Sequence, residues 1–504
     1  MSKSNNQEKQ EEIIISRPLS KSEHFFRSRT ATKCFNSFQV TAIYNQNLKK
    51  NLNLFFNALR KTIIDYHISV SNVQLDSKLN SFVFHPLNSV KLGDVLEFLN
   101  PDDYITNGRI NENFMKYVND TTIFELYSQK PLFRLILVGE NTLSCSFEHT
   151  IADGIVTNYF HEILVENLAF VEKQSNWDIL ESEYGCYKDA TVTLDSELFT
   201  FSKDKKYIKN SLPPPVDLFM EDIELDYTHG DPDYHEKIIP KKYPTKWKGR
   251  FPAKFTKDIA FKLINFTPEE TKQILKKCKE NKVSLTSYIQ IIHALTMQPV
   301  FGDKNYTTHR CAMALRRHFD SSKAPIEYKK ILDDPNYKIF GTSASMGFSN
   351  NLPPIKEFSW DLVTQANKII VDGCNNKRAL NALKPFLDKA DPTDYKNEEL
   401  FYSQLDKAKA DAVKISNLGL IKTPTYKSDN PEKNWQIKDM IFSQDMAPYA
   451  SDFMLSVVST LPGGLNFVLS YFDYSFDDFE GYDNFDHLIE SLHDNMIKYS
   501  LEVN

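Results

Sequence analysis

None of the six cysteines, at positions 34, 145, 186, 278, 311 and 374, forms a Cys-x-x-Cys pair. A zinc site and a thioredoxin-like redox site are therefore not indicated, and reduced thiols in a reducing compartment are the expectation. No stretch approaches the ~20 apolar residues of a spanning helix. The segment from Ser2 to Glu12 is polar and charged, with only Ile13-Ile14-Ile15 as an apolar run behind it, which is no signal peptide. An excess of basic charge is missing too. The net charge of −7 argues against a nucleic-acid protein, which needs a concentrated basic surface. Several catalytic loops are absent. Gly341-Thr342-Ser343-Ala344-Ser345 fails the Gly-x-Ser-x-Gly pattern at its last position. There is no Gly-x-x-x-x-Gly-Lys-Ser/Thr loop and no dinucleotide fingerprint, and His161-Glu162 lacks the second His of a zincin. No metal site is expected.

What is present is a chain of 504 residues, long enough for two or more domains. Apolar residues make up 41% and charged residues 25%, the balance of a globular protein. The 36 Phe and 24 Tyr favour large cores and apolar ligand cavities. Residues 1–20 read as a disordered tail. Residues 21–199 form a first α/β unit and 258–504 a second. Between them, 200–257 read as a crossover linker with Pro213-Pro214-Pro215, an acidic run from Glu221 to Asp226, and a basic stretch (Lys241, Lys242, Lys246, Lys248, Arg250). That stretch could meet phosphates, but a solvated charged loop is the expectation.

The most informative segment is Ser146-Phe147-Glu148-His149-Thr150-Ile151-Ala152-Asp153-Gly154. Leu143, Cys145 and Phe147 alternate with Ser144, Ser146 and Glu148, the period of a half-buried strand, and His149 falls on the apolar side. Leu132 to Val138 and Leu143 to Phe147 are expected to pair as a hairpin across Gly139-Glu140-Asn141. After Gly154, apolar residues recur at helical spacing through Leu168. The segment is thus a strand-to-helix turn carrying one inward imidazole, which can take a proton from a bound nucleophile. The alternative is a structural His followed by a helix-capping Asp. A second His-x-x-x-Asp, His229 to Asp233, has neither the strand nor the Gly. His161, on the helix behind the motif, is expected on its polar face.

In the second half, Ile259, Phe261 and Leu263 alternate as a strand. Thr267-Pro268-Glu269-Glu270 is a helix start, and another helix begins at Ser284. Strands are expected near 310–315, 341–348, 454–459 and 466–471. A terminal helix carries Phe485, Leu488, Leu492 and Met496 on one stripe, read as core rather than membrane anchor.

His149-Thr150-Ile151-Ala152-Asp153-Gly154 resembles the His-x-x-x-Asp-Gly motif of the coenzyme A-dependent acyltransferases of chloramphenicol-acetyltransferase type, and the chain resembles their fungal alcohol acetyltransferases. Supporting segments run in order over roughly residues 20 to 500: Glu23-His24-Phe25-Phe26, Phe35-Asn36-Ser37-Phe38, Ser284 to Gln290, Ala314 to Phe319, Ile415 to Leu420 and Lys438 to Gln444. The resemblance implies a mixed α/β (α+β) fold of two sandwich-like domains with an active-site channel between them. It implies His149 as general base, Asp153 as a structural partner of Arg316 or Arg317, and Gly154 as room at the turn. Asn417 and Gly419 become candidates for the channel wall or the oxyanion, ahead of Ser343 and Ser345. The co-substrate implied is acetyl-coenzyme A, without metal. The acceptor is a hydrophobic alcohol, yielding an acetate ester. A sphingoid-like amine, such as a sphingolipid-synthesis inhibitor, is the alternative acceptor, and a non-catalytic acyl-binding protein is the second alternative. A monomer suffices. A cytoplasmic protein is expected, with peripheral contact to endoplasmic reticulum or lipid droplets left open.

Overall fold

The structure, a computed structural model, describes residues 13–174, 176–188, 191–221, 242–249, 258–341, 345–375, 377–381, 397–422, 424–427, 434–472 and 485–501. Two sheets carry the fold. The first has five strands in the order Ile437–Gln444, Phe38–Tyr44, Thr142–Phe147, Phe133–Val138, Leu96–Leu99. Its neighbours are antiparallel except Leu96–Leu99, which runs parallel to Phe133–Val138. The expected hairpin forms, with Thr142 opposite Val138 and Gly139 at φ 64°, a conformation glycine adopts without steric cost. The second sheet has six strands: Ile259–Phe266, Gly464–Phe472, Ser451–Thr460, Asp411–Ile421, Thr307–Ala314, Ser345–Leu352. Asp411–Ile421 lies parallel to both its neighbours.

Each sheet is covered by helices whose apolar stripes the sequence marks out. Helices Leu52–Asp65 and Gly154–Lys173 bury Phe55, Leu59, Ile63, Phe160, Leu164 and Leu168 in the core of the first sheet. Helix Pro268–Glu280 starts at a complete capping box between Thr267 and Glu270, and helix Leu285–Thr296 at Ser284, as expected. The terminal helix Phe485–Leu501 buries Leu488, Leu492 and Met496 in the second core. Among the described residues no helix is long and apolar enough to cross a membrane.

Three readings change. Residues 13–20 are not a loose tail. Arg17–Pro18 pairs with strand Ser81–Pro86, and buried Arg17 grips Glu23 through two hydrogen bonds of 2.8 and 2.9 Å. Ser20 and Glu23 then cap helix Lys21–Ala31. Residues 1–12 lie outside the described residues. Nor is the stretch after 200 purely linker. Phe219 stacks on Phe319 (4.3 Å between centroids), and Lys246 donates to the carbonyls of Lys409 and Ala410. Lys241, Arg250 and the acidic run beyond Glu221 lie outside the described residues. Finally, His161 faces the core. Its Nδ1 lies 3.0 Å from the Tyr44 hydroxyl and its Nε2 2.9 Å from the Val40 carbonyl. The helix is packed on both flanks, so a polar residue between apolar ones need not face water.

The division at residue 257 does not separate the sheets. Strand Ile437–Gln444, from the second half, is an edge of the first sheet, with Phe442 opposite Val40 and Gln444 opposite Phe38. A further core cluster (Ile136, Val138, Ile259, Phe261, Ile441, Met454, Val468) fills the seam. The exchanged strand brings the two halves together beside the end of strand Thr142–Phe147.

Candidate active site

The turn after Phe147 is pinned by a buried carboxylate. Glu148 accepts from the Thr150 amide (2.6 Å) and from the Thr30 hydroxyl (2.5 Å), tying the turn to helix Lys21–Ala31. That helix supplies the clamp on the imidazole. His149 stacks on Phe26 with centroids 3.9 Å apart and planes 7° apart, while Phe38 meets it edge-on at 4.9 Å. The Arg29 guanidinium lies over Phe35 at 3.8 Å, on the same aromatic group. His149 is 8% exposed, but Ser144, Ser146 and Glu148 are as buried as Leu143, Cys145 and Phe147, so the strand is covered on both faces rather than half-buried, and the turn after Phe147 places the ring. Burial pushes its pKa well below 6.5, and the Arg29 and Lys414 cations push the same way; hydrogen bonds to the His149 and Ala152 carbonyls only partly oppose this. The ring is neutral at pH 7. A ring N–H donating to those carbonyls leaves the other nitrogen as the acceptor.

Asp153 has two tasks. It is the N-cap of helix Gly154–Lys173, accepting from the Val156 amide at 3.4 Å. Its other oxygen accepts from Arg316 Nη1 at 2.7 Å. Arg316 also donates to the carbonyls of Ile339 (3.0 Å) and Gly341 (2.9 Å). Arg317 points elsewhere, to the Cys374 carbonyl. Arg316 is therefore the partner of Asp153. At Gly154 a Cβ would stand 2.8 Å from Leu418 Cδ2 and 3.3 Å from Phe442 Cζ. The room it gives is for side chains of the second half to approach, not for an unusual backbone angle.

Asn417 and Gly419 meet in one feature of the opposite wall. The register of strand Asp411–Ile421 shifts between Asn417 and Leu420. The Asn417 Oδ1 accepts from the Gly419 amide at 2.8 Å, and Gly419 sits at φ 81°, where glycine is favoured. The Asn417 amide donates to Thr286 Oγ1 at 3.0 Å. This bulge turns Leu418 toward Gly154. Ser343 lies outside the described residues, and Ser345 is placed only as a strand residue opposite Ala314.

A cavity of ≈ 410 Å³ lies between these walls, lined by His149, Gly154, Met313, Arg316, Lys414 and Leu418 among others. Cys311 also lines it, but burial pushes its thiol up to about 12, so it is no nucleophile at neutral pH. Among the described residues no group of His, Cys, Asp and Glu could hold a metal. Sequence reading missed Phe26, Arg29 and Lys414. Phe26 sits in a segment singled out by resemblance, but only the fold brings helix and turn together.

A neutral, ring-clamped imidazole facing such a cavity suits transfer of a group between two bound molecules. Comparison with known proteins gives the class as acyltransferase. The chain belongs to the alcohol acetyltransferase family, whose model matches residues 19–492. It is 22% identical over 476 residues to the N-acetyltransferase SLI1 of Saccharomyces cerevisiae, covering 90% of this chain and 94% of that protein. It is also 22% identical over 243 residues to Alcohol O-acetyltransferase 1 of the same yeast, covering 43% of this chain and 41% of that one. Among solved structures, the TRI3 trichothecene 15-O-acetyltransferase of Fusarium sporotrichioides shares the fold. That match has a TM-score of 0.63 and 12% identity, and covers 96% of this chain and 95% of that one. The chain is an acetyltransferase of mixed α/β, two-domain architecture.

Proposed function

We propose that the protein transfers an acetyl group from acetyl-coenzyme A to the hydroxyl of a hydrophobic alcohol, giving an acetate ester, with His149 as general base. The observation that carries this is the neutral imidazole, fixed between Phe26 and Phe38 and opening on the cavity. The acceptor oxygen attacks the acetyl carbonyl carbon while its proton passes to His149, and a C–O bond forms. The tetrahedral intermediate then collapses, the C–S bond breaks, and the imidazolium returns the proton to the departing thiolate. General-base assistance of this kind contributes roughly 10²–10⁴-fold. Asp153 and Arg316 hold the turn that aims the ring. Gly154, Asn417 and Gly419 shape the channel between the walls.

The lining favours a neutral acceptor. Ile155, Met313, Ala314, Ile370 and Leu418 supply apolar surface. Its cations are Arg316, Arg317 and Lys414, whereas its carboxylate, Asp153, is engaged by Arg316. An ammonium would enter without a carboxylate to meet it; a hydroxyl pays no such penalty. The second reading, N-acetylation of a sphingoid-like amine, is supported by the similarity to SLI1 along most of the chain. A cationic lining would bind such an amine in its neutral, nucleophilic form. An acyl-binding role without catalysis is the remaining reading, and the intact His149 and Asp153 weigh against it. Base and both walls come from one chain, so a monomer suffices. The decisive experiment incubates the full chain with acetyl-coenzyme A and matched long-chain alcohols and amines. Mass spectrometry of an acetate ester supports the first reading, and an amide as the sole product replaces it with the second.

A further inference from the structure

Of the donors nominated for an oxyanion, the two that the structure describes, Asn417 and Gly419, already have partners. Asn417 and Gly419 bond each other and Thr286. Around the same cavity Arg316 is held by three acceptors, Arg317 donates to the Cys374 carbonyl, and Gln444 donates to Ser456 Oγ at 3.0 Å. Lys414 is different. It lies on strand Asp411–Ile421 between Val413 and Ile415, which are buried in the second core, so alternation turns Lys414 and Ser416 to the opposite face, toward His149. Among the described residues neither the Lys414 nor the Ser416 side chain has a hydrogen-bonding or ionic partner. The nearest carboxylate on its own strand, Asp411, is committed to Arg310 Nε (2.6 Å) and Ser349 Oγ (3.0 Å).

We propose that Lys414 is a second catalytic residue: its ammonium donates to the acetyl carbonyl oxygen as that oxygen becomes negative. This rests on the acetyl-transfer reading above. The attacking oxygen gives its proton to His149 and its electron pair to the carbonyl carbon. The carbonyl π pair moves onto oxygen beside Lys414 and returns when the C–S bond breaks. Lys414 keeps its proton throughout. The charges around it explain why it waits for such a partner. Arg29 faces it from helix Lys21–Ala31, Arg310 from the adjacent strand and His149 from the turn, with only Asp411 opposing. Burial first, then Arg29 and Arg310, lower its pKa to about 7. A negative oxygen developing in the cavity restores the balance and holds the proton on the ammonium. The phosphates of coenzyme A are a pantetheine arm away from the thioester, so they do not meet the same group. A carboxylate or phosphate on the acceptor is the competing source of negative oxygen.

The test compares wild type, Lys414→Met, Lys414→Arg and His149→Ala, with thiol release measured against a neutral alcohol and its carboxylate-bearing analogue. Lys414→Met is expected to lower kcat on the neutral alcohol roughly 10²–10³-fold, with KM little changed. Lys414→Arg should keep part of the rate. In wild type, kcat/KM should fall as pH rises through about 7, where Lys414 loses its proton, and this limb should vanish in Lys414→Met. Removing an uncompensated, half-buried cation should leave the thermal midpoint unchanged or raised, which separates loss of rate from loss of fold. Two outcomes overturn the proposal: kcat on the neutral alcohol as in wild type, or an effect confined to KM for the carboxylate-bearing analogue. Failure of the acetyl-transfer reading looks different, because His149→Ala would then release thiol as wild type does.

Discussion

Replacing Arg316 by Met should unfold this protein far more readily than replacing its neighbour Arg317. Arg316 is 8% exposed at its side chain and its partner Asp153 is 2% exposed. Arg316→Met leaves that carboxylate buried without its cation and strips the Ile339 and Gly341 carbonyls of their donor. Removing one member of a buried pair costs roughly 3–5 kcal/mol. The Val156 amide still reaches Asp153, which favours the lower end of that range. Among the described residues Arg317, an exposed side chain, bonds the Cys374 carbonyl, and Arg317→Met should stay within about 0.5 kcal/mol. Asp153→Asn keeps the cap and removes the charge, so the double variant should be less damaged than the sum of the singles, with a coupling of roughly 0.5–3 kcal/mol. Urea titration of the full chain, followed by near-ultraviolet circular dichroism and by thiol release, gives all four values. An Arg316→Met variant as stable as Arg317→Met, or strictly additive losses, would refute the assignment of Arg316 as the strut of the motif.

Other outcomes follow from the same contacts. Gly154→Ala should cost roughly 1–3 kcal/mol through overpacking, and Leu418→Ala should restore part of the loss, because the added methyl meets the Leu418 tip. Phe26→Leu removes the ring stacked on His149 and should lower kcat several-fold with little change in the denaturation midpoint; an unchanged kcat would show that the stack does not hold the base. Acid should destabilise the fold well before the carboxylates titrate. Burial lowers His24, His67, His161 and His293 from 6.5 to about 4. The unfolded chain therefore binds more protons than the native one in this window, and the stability these groups contribute above pH 6.5 is lost as pH falls toward 4. Asp217, raised to about 6 by burial, opposes this by one proton. Denaturation midpoints that stay level from pH 7 to pH 5 would contradict the burial of these rings.

The elements that positioned the motif were readable because their signals are local. The alternation of Leu143, Cys145 and Phe147 marked the strand, though not that both its faces are covered, and the Thr267 to Glu270 box marked a helix start. What escaped reading depends on contacts distant in sequence. Phe26 and His149 lie 123 positions apart by number yet stack at 3.9 Å. The exchange of Ile437–Gln444 into the first sheet has no local mark, because an apolar strand reads alike in either sheet. His161 misled because helical periodicity assigns one buried face, and its helix has apolar neighbours on more than one. Of the two adjacent arginines, only the turn after Ala314 decides which reaches Asp153. Lys414 shows the same limit. A Lys in an apolar strand reads as a solvated edge until the other half of the molecule covers it.

The central claim is that His149 removes the acceptor's proton. The direct measurement is thiol release from acetyl-coenzyme A by the full chain, wild type against His149→Ala, with and without a hydrophobic alcohol and with matched thermal midpoints. The account predicts alcohol-dependent release in wild type that drops by roughly 10²–10⁴-fold in the variant. Equal release from both proteins would contradict it.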